Sequence, residues 1–228
     1  MGAVGFVSGS GIDLSPLLRI HDDTIPFPEV IPVHGSRVPG HSGVFYRGRC
    51  GEQEVVVQSG RLHIYEGLSY RQVVSTVDAL VSFGVTTIVF TNAVGGLQPE
   101  HAPGTLICVR EIQAWPFNAW RPCVETLTPT RMIQGCDCEG RYIWVPGPNY
   151  ETRAEIRALQ SKGGTVVGMS TAPEVQRCLE LGIECAVISC VTNSCCNPQV
   201  LTHEHVIEAA RAASTRLCGL LTETFALR

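Results

Sequence analysis

The stretch VVVQSGRLHIYE, residues 55–66, decides how the rest of the chain is read. Val55, Val56 and Val57 are β-branched residues in a row, which suit a buried strand. The apolar run stops at Ser59-Gly60, a turn signal, and Arg61, His63, Tyr65 and Glu66 follow at once. A strand that presents an arginine and a histidine from a glycine turn is a candidate anion site. Arginine offers a planar fork of donors matched to phosphate or carboxylate oxygens, and histidine carries a proton that titrates near neutrality. The same letters also describe a strand followed by an exposed polar loop, so the remaining sequence has to decide.

Working outward, the pattern recurs. Residues 3–8 read as a short buried strand running into Gly9-Ser10-Gly11, where glycines let the backbone approach a ligand and Ser10 can donate its hydroxyl and amide. This is not GxGxxG, and no acidic residue follows at the distance of a ribose clamp, so a dinucleotide site is not indicated. Residues 85–90 form a continuous apolar strand that reaches Thr91-Asn92-Ala93-Val94-Gly95-Gly96. Three further strands, 142–145, 165–168 and 185–191, end in Tyr150-Glu151, Met169-Ser170 and Thr192-Asn193 respectively. In α/β sheets ligands bind outside the carboxyl ends of strands, so at least five such endings together point to one pocket.

Between these strands the apolar spacing predicts helices over 69–83, ending at Gly84, over 151–162, after Pro173, and over 203–226. Residues 25–43 are rich in Pro and Gly and are expected to be irregular, with a hairpin of strands at 43–47 and 53–58 after them. Residues 111–142, with Trp115, Phe117 and Trp120, read as a long loop with a short hairpin. No repeat, linker or low-complexity tract divides the chain, so a single α/β domain over 1–228 is expected.

Composition narrows the function. Of 228 residues 44% are hydrophobic and 17% charged, with a formal net charge of −4, ample material for a globular core. No basic run supports nucleic-acid or membrane-surface binding, and no apolar run reaches the ~18 residues of a membrane span. The first residues lack the charged lead-in of a signal peptide. The 11 cysteines are odd in number and many lie in apolar runs, which fits reduced thiols in a cytoplasmic protein. Cys136-Asp137-Cys138 and Cys195-Cys196 lack the ligand spacing of a structural zinc site, so no metal is expected.

Seven motifs, in order and spacing, resemble the trimeric purine nucleoside phosphorylases. They are GSG at 9–11, PGHSG at 39–43, SGRLHIYEG at 59–67, TNAVGGL at 91–97, GPNYET at 147–152, VGMSTAPEV at 167–175 and VTN at 191–193. The resemblance covers nearly the whole chain. It implies a mixed, partly barrel-like sheet flanked by helices, a homotrimer, and cleavage of a purine nucleoside by phosphate, with no metal or organic cofactor. Carried over by position, Ser10, His41, Arg61, His63, Ala93 (through its amide) and Ser170 resemble the phosphate site. Tyr65, Met169 and His203 resemble the pentose contacts, and Tyr150, Glu151 and Asn193 the purine site. Asn193, Glu151 and His63 then stand as the catalytic groups. The segment between Arg110 and Tyr142 is shorter than in the family, where it supplies an aromatic to a neighbouring subunit.

Residue chemistry agrees independently. Arg61, serine hydroxyls and backbone amides can hold a phosphate dianion as nucleophile without consuming a proton. A neutral amide at Asn193 can donate to N7 of a departing purine, and a carboxylate at Glu151 accepts from a base carrying N1–H. Relatives acting on methylthioadenosine carry aspartate where Asn193 stands, so 6-oxopurine nucleosides are the expected substrates. The alternatives are a phosphorylase of other base preference (xanthosine, adenosine or methylthioadenosine) and a non-catalytic nucleoside- or phosphate-binding protein.

Overall fold

The computed structural model describes residues 2–33, 42–114, 125–196 and 203–227, the side chains of 203 and 204 excepted. In chain order the elements are β1 (Ala3–Val7), β2 (Ile20–Pro26), α1 (Phe27–Val30), β3 (Val44–Cys50), β4 (Gln53–Ser59), α2 (Tyr70–Ser82), β5 (Val85–Gly96) and β6 (Leu106–Ala114). There follow β7 (Thr126–Leu127), β8 (Cys138–Trp144), α3 (Arg153–Ser161), β9 (Val166–Gly168), α4 (Ala172–Leu181), β10 (Glu184–Ser194) and α5 (His203–Thr224).

Among the described residues all the strands belong to one mixed sheet. Its order is β10-β6-β8-β9-β5-β1-β4-β3-β2, and β10 also pairs with β5. That extra pairing closes β5, β10, β6, β8 and β9 into a five-stranded ring, while β1, β4, β3 and β2 continue outward from β5 as an open wing. The barrel-like mixed sheet expected from the resemblance is therefore present.

Helices cover both faces, which is why the central strands are apolar on both sides. On one face Val73, Val77 and Leu80 of α2 and Val175 and Cys178 of α4 pack with Ile88, Phe90 and Val187. On the other, Ala210, Leu217 and Leu221 of α5 pack with Phe6, Val57, Val89 and Ile188. Each buried Val, Leu, Ile or Phe among these stabilises the fold by about 1.5–3 kcal/mol. Ser69 accepts from Gln72 N–H to cap α2, and Gly84, at φ 84°, follows its end as the sequence predicts.

Two expectations are corrected. Within 25–43 the described residues are not irregular throughout: β2 is an edge strand paired antiparallel to β3, and Phe27–Val30 form one helical turn. The strand carries Ile-His-Asp-Asp-Thr with no alternation because its residues are largely exposed, so no periodic signal exists to read. Second, β5 and β10 do not stop where their apolar runs stop. They continue in parallel register through Ser194↔Gly96, so TNAVGG and VTN lie within strands. Gly95 and Gly96 pair with β9 at the ring closure, and glycine there serves close approach: a Cβ on Gly96 would lie 2.8 Å from the His101 carbonyl oxygen.

Among the described residues no helix is long and apolar enough to cross a membrane, and the cysteines are free thiols.

Candidate active site

A cavity of about 790 Å³ opens along the ends of β1, β5 and β10. Ten of the residues singled out from sequence line it: Ser10, Arg61, His63, Tyr65, Ala93, Tyr150, Glu151, Met169, Ser170 and Asn193. His41 lies outside the described residues, as do Trp115, Phe117 and Trp120. His203 begins α5, whose Val206 and Ile207 reach the cavity, but its side chain is also outside the description.

One end is a donor cluster built around Arg61. The strand β4 ends at Ser59, and Gly60, at φ 104°, turns the chain so that Arg61 points inward. Its side chain is 1% exposed. Nε donates to Glu174 Oε1 at 3.1 Å, and Nη1 donates to the Thr91 carbonyl at 3.1 Å and to Ser170 Oγ at 3.2 Å. Phe90 lies beneath, its ring centroid 6.0 Å from the guanidinium carbon. Ser170 is held at the mouth of α4 by an unusual turn. Thr171 has φ 76° and ψ −41°, and Ala172 N–H donates to the Ser170 carbonyl at 2.9 Å. A β-branched residue there costs about 1–3 kcal/mol. Glu174 Oε2 accepts from Thr171 N–H, and Asn92 Nδ2 donates to Thr171 Oγ1, which offsets that cost.

His63 stands beside this cluster. Its Nδ1 is 3.0 Å from Glu66 Oε1, which also accepts from the His63 backbone N–H. The imidazole stacks on Tyr65, with centroids 4.6 Å apart and planes at 18°. Nδ1 is thus committed to a carboxylate, which fixes the orientation of the ring at the edge of the cleft. The Ser10 turn approaches from β1. A Cβ on Gly9 would lie 2.8 Å from the Asn92 Cα, so only glycine lets Ser10 come alongside Ala93.

The other end carries an acceptor and an amide. Burial holds the Glu151 carboxyl above the ordinary glutamate range. Asn193 follows a bulge in β10: Val191 pairs with Val94 and Asn193 with Gly95, leaving Thr192 as the extra residue. A bulge re-aims the next side chain. Thr192 Oγ1 lies 3.2 Å from both the Val94 carbonyl and Asn193 Oδ1, sharing its one proton between the two acceptors and leaving the Asn193 NH2 as donor. Cys195 Sγ lies 3.8 Å from that nitrogen, and burial pushes its thiol up to about 12. Gly95 forms the floor: a Cβ there would meet Cys195 Sγ at 2.5 Å and Asn193 Nδ2 at 3.3 Å.

Between the ends lie Tyr65 and Met169. Gly147, at φ 72°, lets them come together, since a Cβ there would meet Met169 Sδ at 2.6 Å and Tyr65 Cδ1 at 2.9 Å. Burial, with Glu66 nearby, raises the Tyr65 phenol above its ordinary range, so it stays a neutral hydroxyl. Tyr150 is 47% exposed at the rim. Among the described residues no three His, Cys, Asp or Glu side chains are grouped to hold a metal ion.

Sequence reasoning missed the supporting groups Glu174, Glu66, Asn92, Thr171 and Thr192. The spacing Thr171-x-x-Glu174 is a capping-box signal that could have found the first. Nothing local marks Asn92.

A closed β-ring bearing an anion-type donor cluster and an acceptor-amide pair in one cleft defines a class, and comparison with known proteins agrees. The model of the Phosphorylase superfamily matches residues 3–125 and 137–226. The chain belongs to that superfamily, in the family of the purine nucleoside phosphorylases, which are pentosyltransferases. Purine nucleoside phosphorylase 1 of Geobacillus stearothermophilus is 31% identical over 229 residues, covering 90% of this chain and 84% of the relative. Purine nucleoside phosphorylase of Mycobacterium tuberculosis is 34% identical over 202 residues, covering 82% and 75%. Among solved structures, purine nucleoside phosphorylase of Schistosoma mansoni in complex with inosine superposes with TM-score 0.82 at 25% identity, covering 98% of this chain and 89% of that one.

Proposed function

We propose that this enzyme cleaves 6-oxopurine nucleosides, inosine and guanosine and their deoxy forms, with inorganic phosphate. The products are free purine and (deoxy)ribose 1-phosphate. The observation that carries the reading is the polarity of the cleft: Arg61 and Ser170 lie 3.2 Å apart at one end, and Glu151 and Asn193 line the other.

Phosphate occupies the donor end, held by Arg61, Ser10, Ser170, His63, the Ala93 amide and His41. Tyr65, Met169 and His203 hold the pentose between. The C1′–N9 bond breaks as a phosphate oxygen bonds to C1′, and the electron pair leaves with the purine. The negative charge that develops on the base is met at N7 by the Asn193 amide. Glu151, ionised, accepts from N1–H, a donor that hypoxanthine and guanine possess and adenine lacks. The dianion beneath C1′ stabilises the positive charge on the sugar, and its fixed placement supplies the proximity that catalysis needs. No metal or organic cofactor enters these steps. The working form is a homotrimer, for which light scattering should return three times the mass of one chain.

The test is incubation with inosine and phosphate, then without phosphate. Hypoxanthine that appears only with phosphate supports the proposal. Faster phosphorolysis of adenosine, methylthioadenosine or xanthosine would overturn the base preference. Phosphate-independent release would indicate a hydrolase, and no release under any condition a binding protein.

A further inference from the structure

Tyr142 lies on β8, fully buried and outside the lining of the cleft. Its hydroxyl does two things to one residue. It donates to the Ser170 carbonyl at 2.8 Å and accepts from the Ser170 N–H at 3.2 Å. Those two groups belong to the peptide planes on either side of Ser170, so a single phenol oxygen restrains both. The carbonyl it engages is the one that also receives the Ala172 N–H in the positive-φ turn at Thr171. Strained backbone of this kind persists only when its surroundings over-determine it.

The packing around the phenol is built for that contact. A Cβ on Gly168 would lie 2.5 Å from the Tyr142 hydroxyl oxygen, so β9 closes directly onto it. Burial raises the phenol well above its ordinary range, which keeps the proton on the oxygen that must donate it. The ring alone would satisfy the core, since phenylalanine fills nearly the same volume. The hydroxyl is the part that core packing does not explain.

We propose that Tyr142 is a positioning residue for the phosphate end of the cleft, fixing the Ser170 backbone so that Ser170 Oγ stays beside Arg61 and faces the incoming oxyanion. This rests on the phosphorolysis reading above. The phenol touches no substrate. It acts through Ser170, whose hydroxyl would otherwise sample other rotamers and meet phosphate only part of the time.

The experiment uses the full chain with Tyr142→Phe, Ser170→Ala and the two combined. Steady-state phosphorolysis of inosine should show the phosphate KM raised about tenfold in Tyr142→Phe, as expected for one lost hydrogen-bonding group. The inosine KM should stay within about twofold. In the Ser170→Ala background the same substitution should change the phosphate KM by less than about twofold, because the hydroxyl it positions is gone. A purely structural tyrosine would raise both KM values alike, or act equally in both backgrounds, and either result overturns the proposal. A Tyr142→Phe chain that does not fold overturns it too, by making the hydroxyl structural.

An arm independent of turnover separates the two readings. Inorganic phosphate should raise the Tm of the wild type, and Tyr142→Phe should need about tenfold more phosphate for the same rise. If the wild type releases no purine, the functional reading fails, while this arm still decides whether Tyr142 governs phosphate. Equal phosphate dependence in both proteins sinks the role given to Tyr142.

Discussion

Arg61 and Glu174 stand 113 positions apart in the chain and form an ion pair, 3.1 Å between Nε and Oε1, with side chains 1% and 2% exposed. Removing one partner of such a pair leaves the other charge buried alone, at a cost of about 3–5 kcal/mol. Arg61→Ala should therefore lose phosphate use and also lower the urea midpoint, because Glu174 is stranded. Arg61→Met with Glu174→Gln, which keeps an oxygen for the Thr171 N–H, should recover much of the stability and none of the phosphate affinity. An unchanged urea midpoint in Arg61→Ala would show that Glu174 does not depend on Arg61.

Gly95→Ala tests the purine end. The added methyl meets Cys195 Sγ and crowds Asn193 Nδ2. Overpacking of this kind costs about 1–3 kcal/mol, so the nucleoside KM should rise roughly tenfold or more while the phosphate KM holds. Loss of both together would mean that the ring, and not the pocket, has been disturbed.

The pH dependence follows from Glu151. Burial raises its carboxyl above the ordinary glutamate value of about 4.3. A folded-state pKa above the unfolded one means that its contribution to ligand-free stability is present at low pH and is lost as pH rises through the raised value. The proposed base binding runs the other way, because the ionised carboxylate is the stronger acceptor for N1–H and carries no proton to compete. Hypoxanthine affinity measured by calorimetry should fall as pH drops through a window above the ordinary glutamate range, and Glu151→Gln should flatten that profile. A flat wild-type profile would remove Glu151 from base recognition.

Thr192→Val keeps the shape of the bulge residue and deletes the hydroxyl that holds Asn193 Oδ1. We expect kcat to fall about tenfold, the worth of one well-placed hydrogen bond, with the phosphate KM unchanged. An unaltered kcat would mean that the amide needs no help from Thr192.

What sequence revealed and what it hid divide along the range of the interactions. Val55–Val57, the capped helix from Tyr70 and the stop at Gly84 are set by near neighbours, and periodicity finds them. The tails of β5 and β10 were hidden, because Asn, Thr and Gly read as turn residues until a partner strand lies alongside. Only the pairing of Val94 with Val191 and Gly96 with Ser194, about a hundred positions away, makes strands of them. The ten residues that line the cleft were legible because each stands in a short motif. Their supports were not: Glu174 reaches Arg61 and Tyr142 reaches Ser170 only once the ring has closed.

The ladder between β5 and β10 has one more effect. Ala93, at the phosphate end, is paired with Cys190, and Asn193, at the purine end, is paired with Gly95 two residues further along β5. Two residues of strand span about 7 Å. In the proposed mode of binding, the interval between nucleophile and leaving group is thus ruled off in backbone hydrogen bonds, like the fixed jaws of a gauge. Evolution could retune either end by swapping side chains, but lengthening the gauge would mean breaking the ring.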